Sequence, residues 1–204
     1  MKSLKYLFIP LLIACSASVF AQGGEMQLHL GISGAKTMGD SKDFLPNGSL
    51  RGWNFGLMYG FSDKISAGLM VGFQDFYNKT GREVYNTENG HISAVITHSV
   101  QTIPIMIAGR YSFNPEASIR PFAGLGIGGN LVSFGEYLGQ FGGSDTKIKL
   151  AIRPEAGMAY PFGRFKDNAV WLAASYSYLP YNEFDIKDFS QGAISLGITL
   201  PMRR

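Results

Sequence analysis

Ala193-Ile194-Ser195-Leu196-Gly197-Ile198-Thr199-Leu200 alternates small or polar residues with large apolar ones, without a break. A period of two is the pleat of a β-strand, whose successive side chains point to opposite faces. In a soluble sheet the large apolar face turns inward and a charged face meets water. Here the second face, Ala193, Ser195, Gly197 and Thr199, is too small and too poor in charge for an ordinary water-facing surface. The pattern fits a strand whose apolar side meets lipid and whose small, polar side fills a narrow barrel.

Seven earlier segments repeat the alternation. In 27–35, Leu28, Leu30 and Ile32 oppose His29, Gly31 and Ser33; in 52–61, Trp53, Phe55, Leu57, Tyr59 and Phe61 oppose Asn54, Gly56, Met58 and Gly60. In 65–77, Ala67, Leu69, Val71 and Phe73 oppose Ser66, Gly68, Met70, Gly72 and Gln74. The fourth segment ends at Phe113 and starts as early as Ile92, with Ile103, Ile105, Ile107 and Tyr111 opposite Thr102, Met106, Ala108 and Arg110. Segments 119–137, 147–160 and 169–178 do the same: Leu125 and Ile127 oppose Gly124 and Gly126, Leu150 and Ile152 oppose Arg153 and Glu155, and Leu172 opposes Trp171. No stretch carries a sustained helical period or a solenoid repeat.

The connections alternate as well. Stretches 36–51, 78–91, 138–146 and 179–190 are long and polar or Gly-rich, whereas 62–64 and 114–118 are tight turns and 161–168 is intermediate. Long outer loops and short inner turns are what an even-stranded barrel shows when both termini face the periplasm. Aromatic residues gather at the segment ends: Phe61, Tyr111, Phe113, Tyr160 and Phe162 at the turn end, and Phe76, Tyr77, Phe134, Tyr137, Tyr176 and Tyr178 at the loop end. Two such belts suit two membrane–water interfaces.

The first 21 residues read as a secretory signal peptide. Lys2 and Lys5 precede an apolar stretch, 6–14, and Val19-Phe20-Ala21 forms a cleavage site between Ala21 and Gln22. The run is too short, and too interrupted by Pro10, for a spanning helix. Leu12-Ile13-Ala14-Cys15 resembles a lipobox with Cys15 as acyl acceptor, but the later site has the longer apolar stretch behind it, and ordinary cleavage is the preferred reading. Residues 22–204 then form one barrel domain without cysteine, with 16 basic against 15 acidic side chains. That balance offers no electrostatic basis for binding nucleic acid. The chain has 26 glycines, a share well above the usual ~7%, and many fall on the inward faces, which they thin.

On these features the chain resembles the small outer-membrane β-barrel proteins of Gram-negative bacteria, the OmpX/OmpA-like barrels. The resemblance covers roughly residues 22–202. It rests on the architecture, on Pro121-Phe122-Ala123-Gly124-Leu125-Gly126 and on Ile103-Pro104-Ile105. The terminal Ser195-Leu196-Gly197-Ile198-Thr199-Leu200-Pro201-Met202 resembles the signal read by the barrel-assembly machinery, with Met202 where an aromatic is usual and Arg203-Arg204 after it. The resemblance implies an all-β, eight-stranded antiparallel up-and-down transmembrane barrel following the signal peptide. It implies a monomer integral to the bacterial outer membrane, in contact with its lipid and lipopolysaccharide, both termini periplasmic, with the assembly machinery as a partner of the last strand.

Four charged residues share the inward parity on segments four to six: Arg110, Arg120, Arg153 and Glu155. Unpaired charge in a narrow lumen is costly, so they are expected to pair as a structural network. A conduction path is disfavoured because eight strands leave an interior only wide enough for side chains. Gly124, Gly126 and Gly129 match a dinucleotide fingerprint, but the helix it needs is missing. They read as inner-wall glycines. His29, His91 and His98 lack metal-ligand spacing, and His91-Ile92-Ser93 lacks an acid partner. No catalytic residue, metal or cofactor is expected. The loop aromatics Phe44, Tyr85, Tyr181, Phe184 and Phe189 are expected to pack loops together, with contact to a surface partner as the alternative. The function read from this is an integral barrel with a filled lumen, structural or acting through its loops. A barrel-embedded lipid-modifying enzyme and a soluble lipocalin-like binder are the alternatives.

Overall fold

Strands that alternate lipid-facing and lumen-facing residues leave open backbone edges, which hydrocarbon cannot satisfy, so the sheet must close. In the computed structural model it does. The structure describes residues 24–42, 45, 47–87, 90–138, 141–163, 168–183 and 186–202, and their side chains except at 40–41, 79–98, 136–138, 141–145, 181–183 and 186–188. The expected signal peptide with its Ala21–Gln22 junction, Arg203-Arg204, and the side chains of Phe44, Tyr85, His91, Ser93, His98, Tyr137, Tyr181 and Phe184 lie outside what is described.

The elements are β1 (Met26–Met38), a 3-10 turn (Gly39–Lys42), β2 (Ser49–Gly60), β3 (Ile65–Thr87), β4 (Gly90–Ser112), β5 (Arg120–Leu138), β6 (Phe141–Phe162), β7 (Asn168–Ser177), the short β8 (Pro180–Glu183) and β9 (Ile186–Asp188), and β10 (Ser190–Met202). Eight of the strands form a closed barrel in the order β1-β10-β7-β6-β5-β4-β3-β2, and β8 and β9 form a separate two-stranded hairpin. All barrel pairings are antiparallel. The seam between first and last strands runs from Met26↔Met202 to Met38↔Ser190 without a register shift.

Two connections differ from the sequence expectation. Most of 78–91 and 138–146 is strand, since β3 and β4 pair as far as Thr87↔Gly90 and β5 and β6 as far as Leu138↔Phe141. The alternation used to delimit strands reports which face meets lipid, and that demand ends at the membrane surface. Backbone pairing has no reason to end there, and Thr80, Val84, Tyr85, Val95, Ile96 and Thr97 are all strand formers.

The neighbours stop earlier. β2 pairs with β3 only through Gly52↔Gln74, and β7 meets β6 only through Glu155↔Ser175 plus one bridge at Ile152↔Tyr178. Four strands, β3 to β6, therefore continue beyond the rim on one side of the barrel.

Burial follows the parity of the sequence. Ile32, Trp53, Leu69, Ile107, Leu125, Leu150, Leu172 and Leu196 are exposed on the outer wall, while His29, Asn54, Thr102, Met106, Phe122, Ala151, Trp171 and Ser195 are buried in the lumen. Phe61, Tyr111, Phe113, Tyr160 and Phe162 ring the turn end, and Tyr77, Tyr176 and Tyr178 stand outward at the loop end. Phe76 and Phe134, grouped with the outer belt from sequence, point inward: Phe76 is fully buried and Phe134 packs against the lumen core. Their positions relative to Gln74 and Val132, both buried, put them on the lumen face.

Candidate functional site

The lumen has two halves. In the half nearer the turns, Gly31 of β1 pairs with Gly197 of β10, which pairs with Trp171 of β7. The Trp171 indole lies across both glycines; a Cβ at Gly31 would stand 2.7 Å from its ring, and one at Gly197 would meet the same ring. Bare backbone at the seam is what lets a large ring fill the barrel there.

Arg110 of β4, Gly124 of β5 and Glu155 of β6 share one row of the sheet. Glycine at the middle position leaves space over which the two charges meet. Arg110 Nη2 and Nε donate to Glu155 Oε1 at 2.8 and 3.3 Å, and both side chains are more than nine-tenths buried. A Cβ at Gly124 would come within 2.9 Å of Glu155 Cγ. The guanidinium also lies 4.1 Å from the Phe122 ring centroid and 5.8 Å from that of Trp171, within the range of cation–π attraction.

Arg110 Nη1 is 3.2 Å from His29 Nδ1, and Thr199 Oγ1 is 3.0 Å from the same nitrogen. An arginine only donates, so Nδ1 accepts and the His29 proton sits on Nε2. One row further, Arg153 Nη1 donates to Asn54 Oδ1 at 3.3 Å, and Asn54 Nδ2 donates to Ser195 Oγ at 3.1 Å. The network thus reaches across the lumen from β4 and β6 to β1, β2 and β10.

Three of the four charges predicted from sequence come together: Arg110 and Glu155 as a direct pair, with Arg153 in electrostatic reach of both. Arg120 does not join them. It opens β5 opposite Ala159, at the turn-end mouth, and its Nε has no hydrogen-bond partner. Its parity is inward but its depth is wrong, and parity carries no information about depth. The partners His29, Asn54, Ser195 and Thr199 went unassigned from sequence, although their inward parity was legible; distance across the lumen follows only from closure.

Arg120, Lys64, Glu25, Glu116 and His29 line an open vestibule of about 580 Å³ at the turn-end mouth. Between network and loop end there remains a void of about 10 Å³, lined by Met70, Met106, Arg153 and Glu155 among others.

The half nearer the loops is apolar. Phe76, Val100, Met106, Val132 and Ala151 meet Leu45 from the β1–β2 connection and Leu179 and Phe189 from the β7–β10 connection. Phe189 packs edge-on against Phe76 and Phe134, with centroids 6.2 and 6.1 Å apart. Thr37 Oγ1 donates to Leu45 O at 2.7 Å, tying the β1–β2 connection to β1, and Phe189 N donates to Leu179 O at 3.0 Å, closing the β7–β10 connection on itself. Phe189 accordingly packs down onto the barrel strands inside the lumen, where the sequence predicts packing of the loops onto each other.

Chemically, the arrangement can hold charge and seal space. His29 Nδ1 is committed to a cation and a hydroxyl, not to an acid that would make it a general base. Among the described residues no group of three or more His, Cys, Asp or Glu could hold a metal ion.

Solved structures share the fold. The chain is similar to a major outer membrane protein from Thermus thermophilus (TM-score 0.58, 11% identity, covering 89% of this chain and 100% of that one). It is similar to Neisserial surface protein A (0.53, 13%, 89% and 98%). It is also similar to Ail, the attachment invasion locus protein of Yersinia pestis, solved with the heparin analogue sucrose octasulfate (0.50, 15%, 89% and 100%). No curated protein matches the chain in sequence. The family described as outer membrane protein beta-barrel domain matches residues 7–200. With that match across a closed barrel of eight antiparallel strands, the chain belongs to the outer membrane β-barrel domain family and is an integral protein of the outer membrane.

Proposed function

We propose that this protein is a sealed, non-enzymatic barrel that acts at the cell surface through the strands and loops above its rim. The observation that carries this reading is the division between lumen and extension. The lumen is spanned by the Arg110–Glu155 and Arg153–Asn54 contacts and stoppered by Phe189, Leu45 and Leu179. The extension consists of β3 to β6, which outrun β2 and β7. Beyond Gln74 on β3 and before Ile152 on β6, no strand pairing with β2 or β7 continues among the described residues. Open strand edges are templates for a partner's strand or for a surface contact.

In this reading residues 1–21 are removed between Ala21 and Gln22, and both termini lie on the periplasmic side with the short turns. β10 carries the signal for the assembly machinery, the barrel is monomeric, and its surroundings are outer-membrane lipid and lipopolysaccharide. Arg110, Arg153 and Glu155 stabilise the barrel, and Arg120 lines the vestibule. A lipocalin-like binder would need an apolar lumen and a polar exterior, the inverse of the wall described above. Planar-bilayer recording of the refolded mature chain tests the seal: no steady current is expected, and reproducible long-lived channels from the monomer would overturn it. Protease added to intact cells tests the orientation, with cleavage expected within 79–98 and 136–145 and protection of the 62–64 and 114–118 turns.

A further inference from the structure

The turn-end mouth separates its donors from its acids by depth. Glu25, Asp63, Glu116 and Lys64 stand exposed on the rim of the vestibule of about 580 Å³, on the β2–β3 and β4–β5 turns and just before β1. Below them it is lined by His29, Thr199, Arg110 and Arg120, all buried or partly buried. Each of these four side chains has a hydrogen to donate. The three carboxylates of the described lining all belong to the rim.

Two of the deeper donors have no acceptor. Nδ1 of His29 faces Arg110 and Thr199, which leaves the proton on Nε2. That nitrogen has no hydrogen-bond partner, although His29 is only 6% exposed. Arg120 Nε is covered from water and also lacks a partner, and its guanidinium forms no ion pair with a described residue. Arg110 differs, because Glu155 meets its charge from below.

A guanidinium covered from water costs free energy until an anion meets it. The rim acids stand near that role and do not fill it: Glu25, Asp63 and Glu116 form no ion pair with Arg120 or Lys64. A cation at this mouth would sit among exposed carboxylates, where solvent and salt screen the attraction. An anion that enters further meets donors alone, and hydrogen bonds to charge are strong in such a setting. The mouth opens to water past the ring of Phe61, Tyr111, Phe113, Tyr160 and Phe162, so the ligand arrives in solution.

We propose that the vestibule binds a small soluble oxyanion, a phosphate or a carboxylate, between Arg120 and the Nε2–H of His29, with Lys64 attracting it at the rim. The proposal adds a ligand to the sealed-barrel reading and is separable from it. The test is calorimetric titration of the refolded mature chain with inorganic phosphate, acetate and, at matched ionic strength, chloride. Proton–nitrogen NMR of the arginine Nε–H and histidine Nε2–H signals accompanies it. One saturable site is expected for phosphate or acetate and none for chloride, with the Arg120 and His29 signals shifting together. The tighter of the two oxyanions identifies the class.

Arg120→Gln should weaken binding about tenfold, the share of one charge-assisted hydrogen bond. Arg120→Lys, which keeps the charge and loses the planar Nε–H edge, should recover only part of it. Lys64→Gln should cost about twofold, as an exposed charge does, and Lys36→Gln on the outer wall at the loop end should change nothing. Heat-modifiable gel mobility shows that each variant is folded. Signals that shift without saturation or equally with chloride would reveal screening alone and overturn the proposal, as would wild-type affinity in Arg120→Gln. Planar-bilayer recording in the same phosphate buffer separates the two readings. No saturable binding in a chain without steady current overturns the site and leaves the seal; saturable binding in a chain that conducts steadily overturns the seal and keeps the site.

Discussion

The two halves of the lumen are closed by different physics. Toward the turns the space is spanned by charge, with Arg110 on Glu155 and His29 and Arg153 on Asn54, and each contact depends on geometry. Toward the loops it is filled by Phe76, Phe189, Val132, Leu179 and Leu45, which need only to exclude water. The charged half is built from barrel strands alone. The apolar half borrows Leu45, Leu179 and Phe189 from connections, so the loops are ordered by the plug they complete. The hydrophobic effect has no preferred direction, which suits a contribution from irregular chain; a buried ion pair requires partners held in fixed positions, which suits strands in register.

The sharpest way to break the comparison is to remove the plug. Phe76→Ala deletes a fully buried ring and should cost ~3–5 kcal/mol, read as a lower urea midpoint for the refolded protein. The stoppering connections should become more sensitive to protease. A plug that loses its ring without a shift in midpoint would show that the loops contribute nothing to stability.

In the charged half, Glu155→Gln leaves the Arg110 guanidinium without its acid. Breaking a buried pair costs ~3–5 kcal/mol, and the adjoining vestibule of about 580 Å³ admits solvent that lowers this toward ~2–3. The same urea titration checks it, and an unchanged midpoint would remove the pair from any account of stability. Leu125→Arg provides a reference from the outer wall, where a charge near mid-bilayer should cost ~2–4 kcal/mol, with loss of heat-modifiable mobility as the readout.

Gly124→Ala sharpens the comparison further. Its Cβ would crowd Glu155 Cγ at 2.9 Å, and forcing a methyl into a packed site costs ~1–3 kcal/mol. In a Glu155→Ala background most of that cost should be relieved, because the crowded side chain is gone and only the Gly109 carbonyl oxygen, 3.1 Å from the Cβ, stays close; a cost that persisted in full would mean the glycine serves the backbone and not the ion pair. Arg120→Gln should move the midpoint by less than ~0.5 kcal/mol, since Arg120 lies in the vestibule outside the network. A loss comparable to that of Glu155→Gln would restore Arg120 to the network from which the structure separates it.

What the chain determines by itself is the direction of each side chain. Alternation is local, set by the pleat, so Leu125, Ile194 and Leu172 could be assigned to lipid and His29, Asn54, Arg110, Arg153 and Glu155 to the lumen from sequence alone. The glycines of Pro121–Gly126 could be recognised as an inner wall for the same reason. Tertiary structure decided what direction cannot express. Closure brought Arg110, Gly124 and Glu155 into one row and Trp171 over Gly31 and Gly197, because row and cross-lumen distance depend on the register of strands far apart in sequence. It also turned the ends of 78–91 and 138–146 into strand, since pairing is a property of two chains and continues past the point where lipid stops imposing a pattern. Depth separated Arg120 from its three companions. A period of two says which way a residue points and never how far along the barrel it stands.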